Sequence, residues 1–171
     1  SRGLGDVYKR QADGVHSFWI SPSQRWTDWL LNIGISAKDV LNLPEIIKDI
    51  NSSELKPAEI NEIISIESNN NVQFNDLFFM DRILREKNSN YSFRYMLTCF
   101  NAIQNFLTIN KVQNVFSEQT WNFELITTVV CNQIGINSYH IDDVKVPDGE
   151  KIGRFSFFPG YLFDKFATDI I

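Results

Sequence analysis

Apolar positions along this chain come first in short blocks, then at helical steps, then in blocks flanking a helix. Phe18-Trp19-Ile20 is a continuous apolar run closed by Ser21-Pro22-Ser23, which predicts a short buried strand ended by a turn. Trp26, Trp29, Leu30 and Ile33 follow at offsets of three and four, predicting an amphipathic helix that stops near Gly34. Val40-Leu41-Asn42-Leu43 predicts a second strand. Pro44 and Pro57 each stand where a helix can begin, because proline's fixed φ suits the first turn. Ile46, Ile47 and Ile50, then Ile60, Ile63 and Ile64, supply apolar faces for two short helices. Ser68-Asn69-Asn70-Asn71 reads as a loop. From Asn75 a helix carries Leu77, Phe78, Met80, Asp81, Ile83 and Leu84 as far as the polar stretch 86–90. Phe93, Met96, Leu97, Phe100, Ile103, Phe106 and Leu107 then mark a helix of about five turns.

The last third alternates in type. Residues 112–117 predict a strand, and residues 120–134 a helix with Trp121, Leu125, Val129, Val130 and Ile134 on one side. Gly135 stands where a helix ends in a left-handed residue, and residues 136–141 predict another strand. Strand, helix and strand at this spacing make a βαβ unit within a parallel sheet. The expected fold class is α/β: a Rossmann-like domain with a parallel sheet and a helix-rich middle over residues 44–110. It occupies residues 12–171. Residues 1–11, SRGLGDVYKRQ, have no hydrophobic period and resemble translated adapter sequence of the kind that contaminates metagenomic assemblies, so they are set apart as a non-native leader.

A chain of 171 residues, 43% hydrophobic and 13% aromatic, can bury a sizeable core. Its net charge of −5, without a basic cluster, argues against a nucleic-acid groove or an anionic membrane surface as partner. No apolar run approaches the ~20 residues of a spanning helix. Cys99 and Cys131 both lie in helical apolar patterns, where free cysteine acts as a small buried hydrophobe, and a reduced, cytoplasmic setting follows.

Ligands of open parallel sheets bind beyond the carboxyl ends of the strands. Glu118, Gln119 and Thr120 follow the first strand of the βαβ unit, while His140, Asp142, Asp143 and Lys145 follow the second. Two polar clusters are therefore expected at one edge. A structural role is open to each: a carboxylate near a helix amino end is stabilised by the helix dipole, Trp121 fits a core, Glu124 a solvated helix face, and His140 a hydrogen-bonded position beside the core. Nucleotide-binding glycine loops, serine-hydrolase elbows and zinc-protease motifs are missing. Two histidines and two distant cysteines make no zinc site, and Asp142-Asp143 could chelate one ion only across a bend. No metal is expected. The stretch 145–149 is a proline–glycine turn, and Arg154 to Phe158 with 161–163 is the densest aromatic cluster, either core or a surface covered by another domain.

The runs FMDRILREKNSNYSFRY, FSEQTWNFELITTVVCNQIGINSYHID and KVPDG…GRFSFF resemble the amino-terminal half of bacterial capsule and surface-polysaccharide biosynthesis proteins. Glu118, Thr120, Trp121 and Glu124 match one motif of that family; Pro147, Gly149, Arg154, Phe155, Phe157 and Phe158 match a second. Ser117 departs from the family's glycine, Lys145 from its arginine, and residues 150–153 look inserted. The resemblance implies one half of a two-domain GT-B-like glycosyltransferase that moves a sugar from a nucleotide donor to a growing glycan. Resemblance and strand-end position together make Glu118 the expected general base and Thr120, Trp121, Glu124, His140, Lys145 and Arg154 the expected substrate contacts, His140 and Lys145 by position. The nucleotide sugar is expected in a missing carboxyl-terminal domain, so this chain holds no cofactor and is inactive alone. Its expected partners are that domain and the glycan acceptor, in the cytoplasm or peripheral to the inner membrane. Two alternatives stand beside this: a non-catalytic α/β module of a polysaccharide assembly complex, and a sugar-nucleotide epimerase-like domain.

Overall fold

The structure is a computed structural model that describes residues 15–118, 120–143 and 155–159. The fold is mixed α/β, in two compact units, Ser1–Lys48 and Asp49–Ile171.

In the first unit β1 (Trp19–Ser21) and β2 (Val40–Asn42) pair in parallel, joined by α1 (Gln24–Asn32). Ser23 caps α1, its side chain accepting from the Trp26 N–H at 3.3 Å, and Gly34 follows the helix at φ 94°. The strands and helix fall where the apolar blocks predict them, but the buried face of α1 matches only at Leu30. Thr27 and Leu30 are buried, whereas Trp26 and Trp29 are exposed and meet edge to face at 5.3 Å. The reason is polar. The Thr27 hydroxyl lies 2.9 Å from Ser21 Oγ and 3.0 Å from Asn42 Oδ1, turning that face of α1 toward the strand ends. A short helix, α2 (Leu43–Ile47), follows with Pro44 in its first turn.

The second unit begins with α3 (Pro57–Asn70), again opened by proline. Residues 68–70 are not loop: they form the last turn of α3, with Asn70 Nδ2 donating to Ile66 O and to Gln133 Oε1. The chain turns only at Asn71, whose left-handed φ of 51° asparagine tolerates. Ile63 and Ile66 form the buried face, while Ile60 and Ile64 stay exposed.

The helix expected from Asn75 to Leu84 stops early, as α4 (Phe74–Met80). At Asp81 the backbone becomes extended, and a 3₁₀ turn, Leu84–Glu86, follows. Asp81 causes the break: its carboxylate accepts from the Ile83 and Leu84 N–H groups at 2.8 and 3.0 Å, competing with continued helix.

Helix α5 (Ser89–Ile109) is longer than its apolar period suggests. Met96, Cys99, Phe100, Ile103 and Leu107 are buried along it, each such side chain of leucine or phenylalanine size contributing about 1.5–3 kcal/mol. They pack against α6 (Asn122–Ile134), which is buried over every position from Leu125 to Cys131. Such a helix is central rather than one-sided. Of the expected stripe Leu125, Val129 and Val130 are buried, while Trp121, 41% exposed, lies outside the core and Ile134 is half-buried. Thr127 and Thr128 are tolerated there because their hydroxyls donate to the carbonyls of Phe123 and Glu124 one turn back. Gly135 ends α6 at φ 71°, as expected.

β3 (Asn114–Ser117) and β4 (Asn137–Asp143) flank α6 and pair in parallel, Asn114 opposite Asn137 through Ser117 opposite His140. β5 (Phe155–Pro159), within the aromatic cluster, joins β4 antiparallel. The described sheets are thus two parallel pairs and one antiparallel addition, where a single parallel sheet was expected. No helix among the described residues is long and apolar enough to cross a membrane. Cys99 and Cys131 are free and buried.

Candidate functional site

The βαβ unit of β3, α6 and β4 brings the carboxyl ends of two parallel strands to one edge, with the amino end of α6 beside them. Glu118 follows β3 directly, is exposed, and has no hydrogen-bond partner among the described residues. Three residues on, Trp121 is the N-cap of α6.

Glu124 does different work. Its Oε2 accepts from Thr120 N at 2.7 Å, Trp121 N at 2.9 Å and Thr120 Oγ1 at 3.1 Å. This is the glutamate half of a capping box, satisfying N–H groups that precede the helix. The reciprocal half cannot form, because an indole has no acceptor. Glu124 is thereby committed to holding the 120–121 backbone, and the Thr120 hydroxyl to Glu124.

A second carboxylate supports the same helix end. Asp81 Oδ2 accepts from Asn122 N at 3.2 Å while its Oδ1 holds the 3₁₀ turn, so one buried side chain ties two elements together. Asn122, 1% exposed, donates from Nδ2 to Leu77 O at 2.9 Å, and its buried Oδ1 has no partner among the described residues. Outside this buried layer the Arg82 guanidinium lies over the Trp121 ring, 5.5 Å from its centroid, within cation–π range.

The structure thus gathers Glu118, Thr120, Trp121 and Glu124 into one turn. His140 lies in β4 opposite Ser117, so its backbone reaches the same edge. Gln119, Lys145 and Arg154 lie outside the described residues. Reading the sequence missed Asp81, Arg82 and Asn122 as parts of this site. One signal was available: a carboxylate within an apolar helical pattern marks a cap or a break more readily than a helix interior.

Elsewhere in the second unit a shallow groove of about 340 Å³ is lined by Leu55, Ile60, Ile63, Ile64, Glu67, Gln73, Asn75 and Phe93, none of them a predicted site residue. Among the described residues no group of three or more His, Cys, Asp or Glu side chains could hold a metal ion. Comparison with known protein families, with curated proteins and with solved structures finds no match for this chain.

Proposed function

We propose that this chain is the acceptor-side, Rossmann-like domain of a GT-B-like glycosyltransferase of bacterial surface-polysaccharide synthesis, with Glu118 as general base. One observation carries the reading. Of the two carboxylates between β3 and the first turn of α6, Glu124 is engaged through Oε2 by two backbone N–H groups and a hydroxyl, while Glu118 is exposed and has no hydrogen-bond partner among the described residues. A general base needs an uncommitted carboxylate beside a surface that a hydroxyl can reach.

In this mechanism a Glu118 oxygen takes the proton of the acceptor hydroxyl. The acceptor oxygen attacks the anomeric carbon of the donor sugar, and the bond from that carbon to the nucleotide phosphate breaks. The nucleotide leaves with that electron pair, held by the second domain. Trp121, 41% exposed, offers an aromatic face to the acceptor ring, with Arg82 holding its orientation. Glu124 and Asp81 position rather than react, fixing the backbone that carries Trp121. Lys145 and Arg154 complete the reading as anion contacts.

The test is Glu118→Gln in the protein from the complete gene. Turnover is expected to fall by roughly 10²–10⁴, with the circular dichroism spectrum and acceptor binding retained. Undiminished turnover would remove Glu118 as base.

A further inference from the structure

The break between α4 and α5 presents large apolar side chains to solvent within one short stretch. Phe79 is 62% exposed, Met80 48% and Ile83 59%. They sit here because Asp81 stops α4 and anchors the next turn, so the chain folds back with these side chains outward. Basic residues are interleaved: Arg82, Arg85 and Lys87 are all exposed. Two acidic groups share the stretch. Asp81 is buried and spent on backbone N–H groups, and Glu86 is exposed and paired with Arg85 at 3.3 Å. The exposed charge of this tip is therefore positive, on a chain whose net charge is −5.

We propose that this tip, Phe79 to Lys87, docks the protein on an anionic phospholipid bilayer. Phe79, Met80 and Ile83 enter the headgroup layer while Arg85 and Lys87 meet lipid phosphates, Arg82 staying on the Trp121 ring. Exposed apolar side chains among cations are the chemistry of interfacial attachment. Charge decides against a second copy as occupant. A two-fold contact would set this patch against itself and bring like-charged clusters together, whereas an anionic surface neutralises them. The local distribution thus outweighs the acidic whole, because screening confines each charge to its surroundings within about 8–10 Å.

The 171-residue chain should co-sediment with phosphatidylcholine vesicles containing about one third phosphatidylglycerol and much less with phosphatidylcholine alone, and added salt should release it. Phe79→Ser with Ile83→Ser should lower binding at least tenfold. Arg85→Gln with Lys87→Gln should lower it about twenty-five-fold, near fivefold for each charge, and flatten the salt dependence. Both pairs lie on the surface, so thermal midpoints should stay near wild type, and the charge pair provides an independent readout if the apolar pair misfolds. Equal binding to neutral and anionic vesicles, or none to either, would overturn the proposal. So would a dimer in sedimentation equilibrium that the apolar pair dissolves, which would assign the patch to a second copy.

Discussion

Replacing Arg94 tests how the entry to α3 is held. From α5, Arg94 donates from Nε to Glu59 Oε1 at 2.8 Å and from Nη2 to Glu59 Oε2 at 3.1 Å, a two-pronged ion pair. The same guanidinium reaches the carbonyls of Asn51, Ser53 and Glu54, at 2.8, 3.1 and 3.1 Å. One side chain thus closes the loop that leads into α3, and Glu59 also accepts the Lys56 N–H at 2.7 Å. The Arg94 hydrogen bonds, and then the Lys56 N–H, hold the Glu59 carboxyl at about 2 instead of its ordinary 4.5. At about 1.4 kcal/mol for each tenfold change in proton affinity, that difference sets a ceiling of roughly 3 kcal/mol on the stabilisation of ionised Glu59. The side chains of Arg94 and Glu59 keep 13% and 22% of their surface in water, and solvent screening reduces the pair to about 1–2 kcal/mol. The carbonyl contacts are exposed and add about 0.5 kcal/mol each at most. Arg94→Ala should therefore cost about 2–3 kcal/mol, and Glu59→Gln about 1–2.

The pH dependence has a definite sign. The folded chain binds this proton more weakly than the unfolded one, so unfolding takes up a proton and acid favours it. The contribution is complete above pH about 5 and is lost as pH falls toward 2. Urea unfolding of wild type, both single variants and the double variant, at pH 7 and pH 2.5, yields the coupling between the two residues. A coupling under about 0.5 kcal/mol at pH 7, or one as large at pH 2.5 as at pH 7, would refute the argument.

Two further outcomes follow from buried groups and caps. Glu124→Ala removes the acceptor for three donors at the start of α6 and should cost about 1–2 kcal/mol in urea unfolding, with faster amide exchange at Trp121; an unchanged midpoint and exchange rate would deny the cap its role. Burial pushes the Cys99 and Cys131 thiols up to about 12, so at pH 8 only about one in ten thousand is thiolate, and labelling by a thiol reagent should proceed at the rate of unfolding. Rapid labelling of either in the native protein would contradict that.

Much of the fold could be read along the chain because its signals are local. Pro57 starts α3, Gly135 ends α6, and apolar runs within a few residues foretell β1, β2, β3 and β4. The strand pairing of the last third followed from the same information, since two strands separated by one helix have few ways to meet. β5 was hidden because an aromatic cluster has no distinct alternation to separate strand from core. The single parallel sheet was an extrapolation from one βαβ unit, and the partner of a strand is not a local property.

The site divides in the same way. That a carboxylate and a tryptophan stand between a strand and a helix is written in residues 114–124 and needs no coordinates. Which carboxylate remains open is another matter. Glu118 and Glu124 are alike in the sequence, and they differ because Glu124 accepts from the N–H groups of Thr120 and Trp121 while Glu118 has no such partner among the described residues. The same holds for Trp121, which has the spacing of a core residue yet lies outside, since α6 fills its surroundings with Leu125 to Cys131 and leaves the N-cap at the rim. Asp81 breaks a helix its neighbours would continue, because its carboxylate reaches both the next turn and Asn122, 41 residues on. Propensity and capping act within about one turn and so can be read in order, whereas burial and the commitment of a side chain depend on neighbours that only folding brings near.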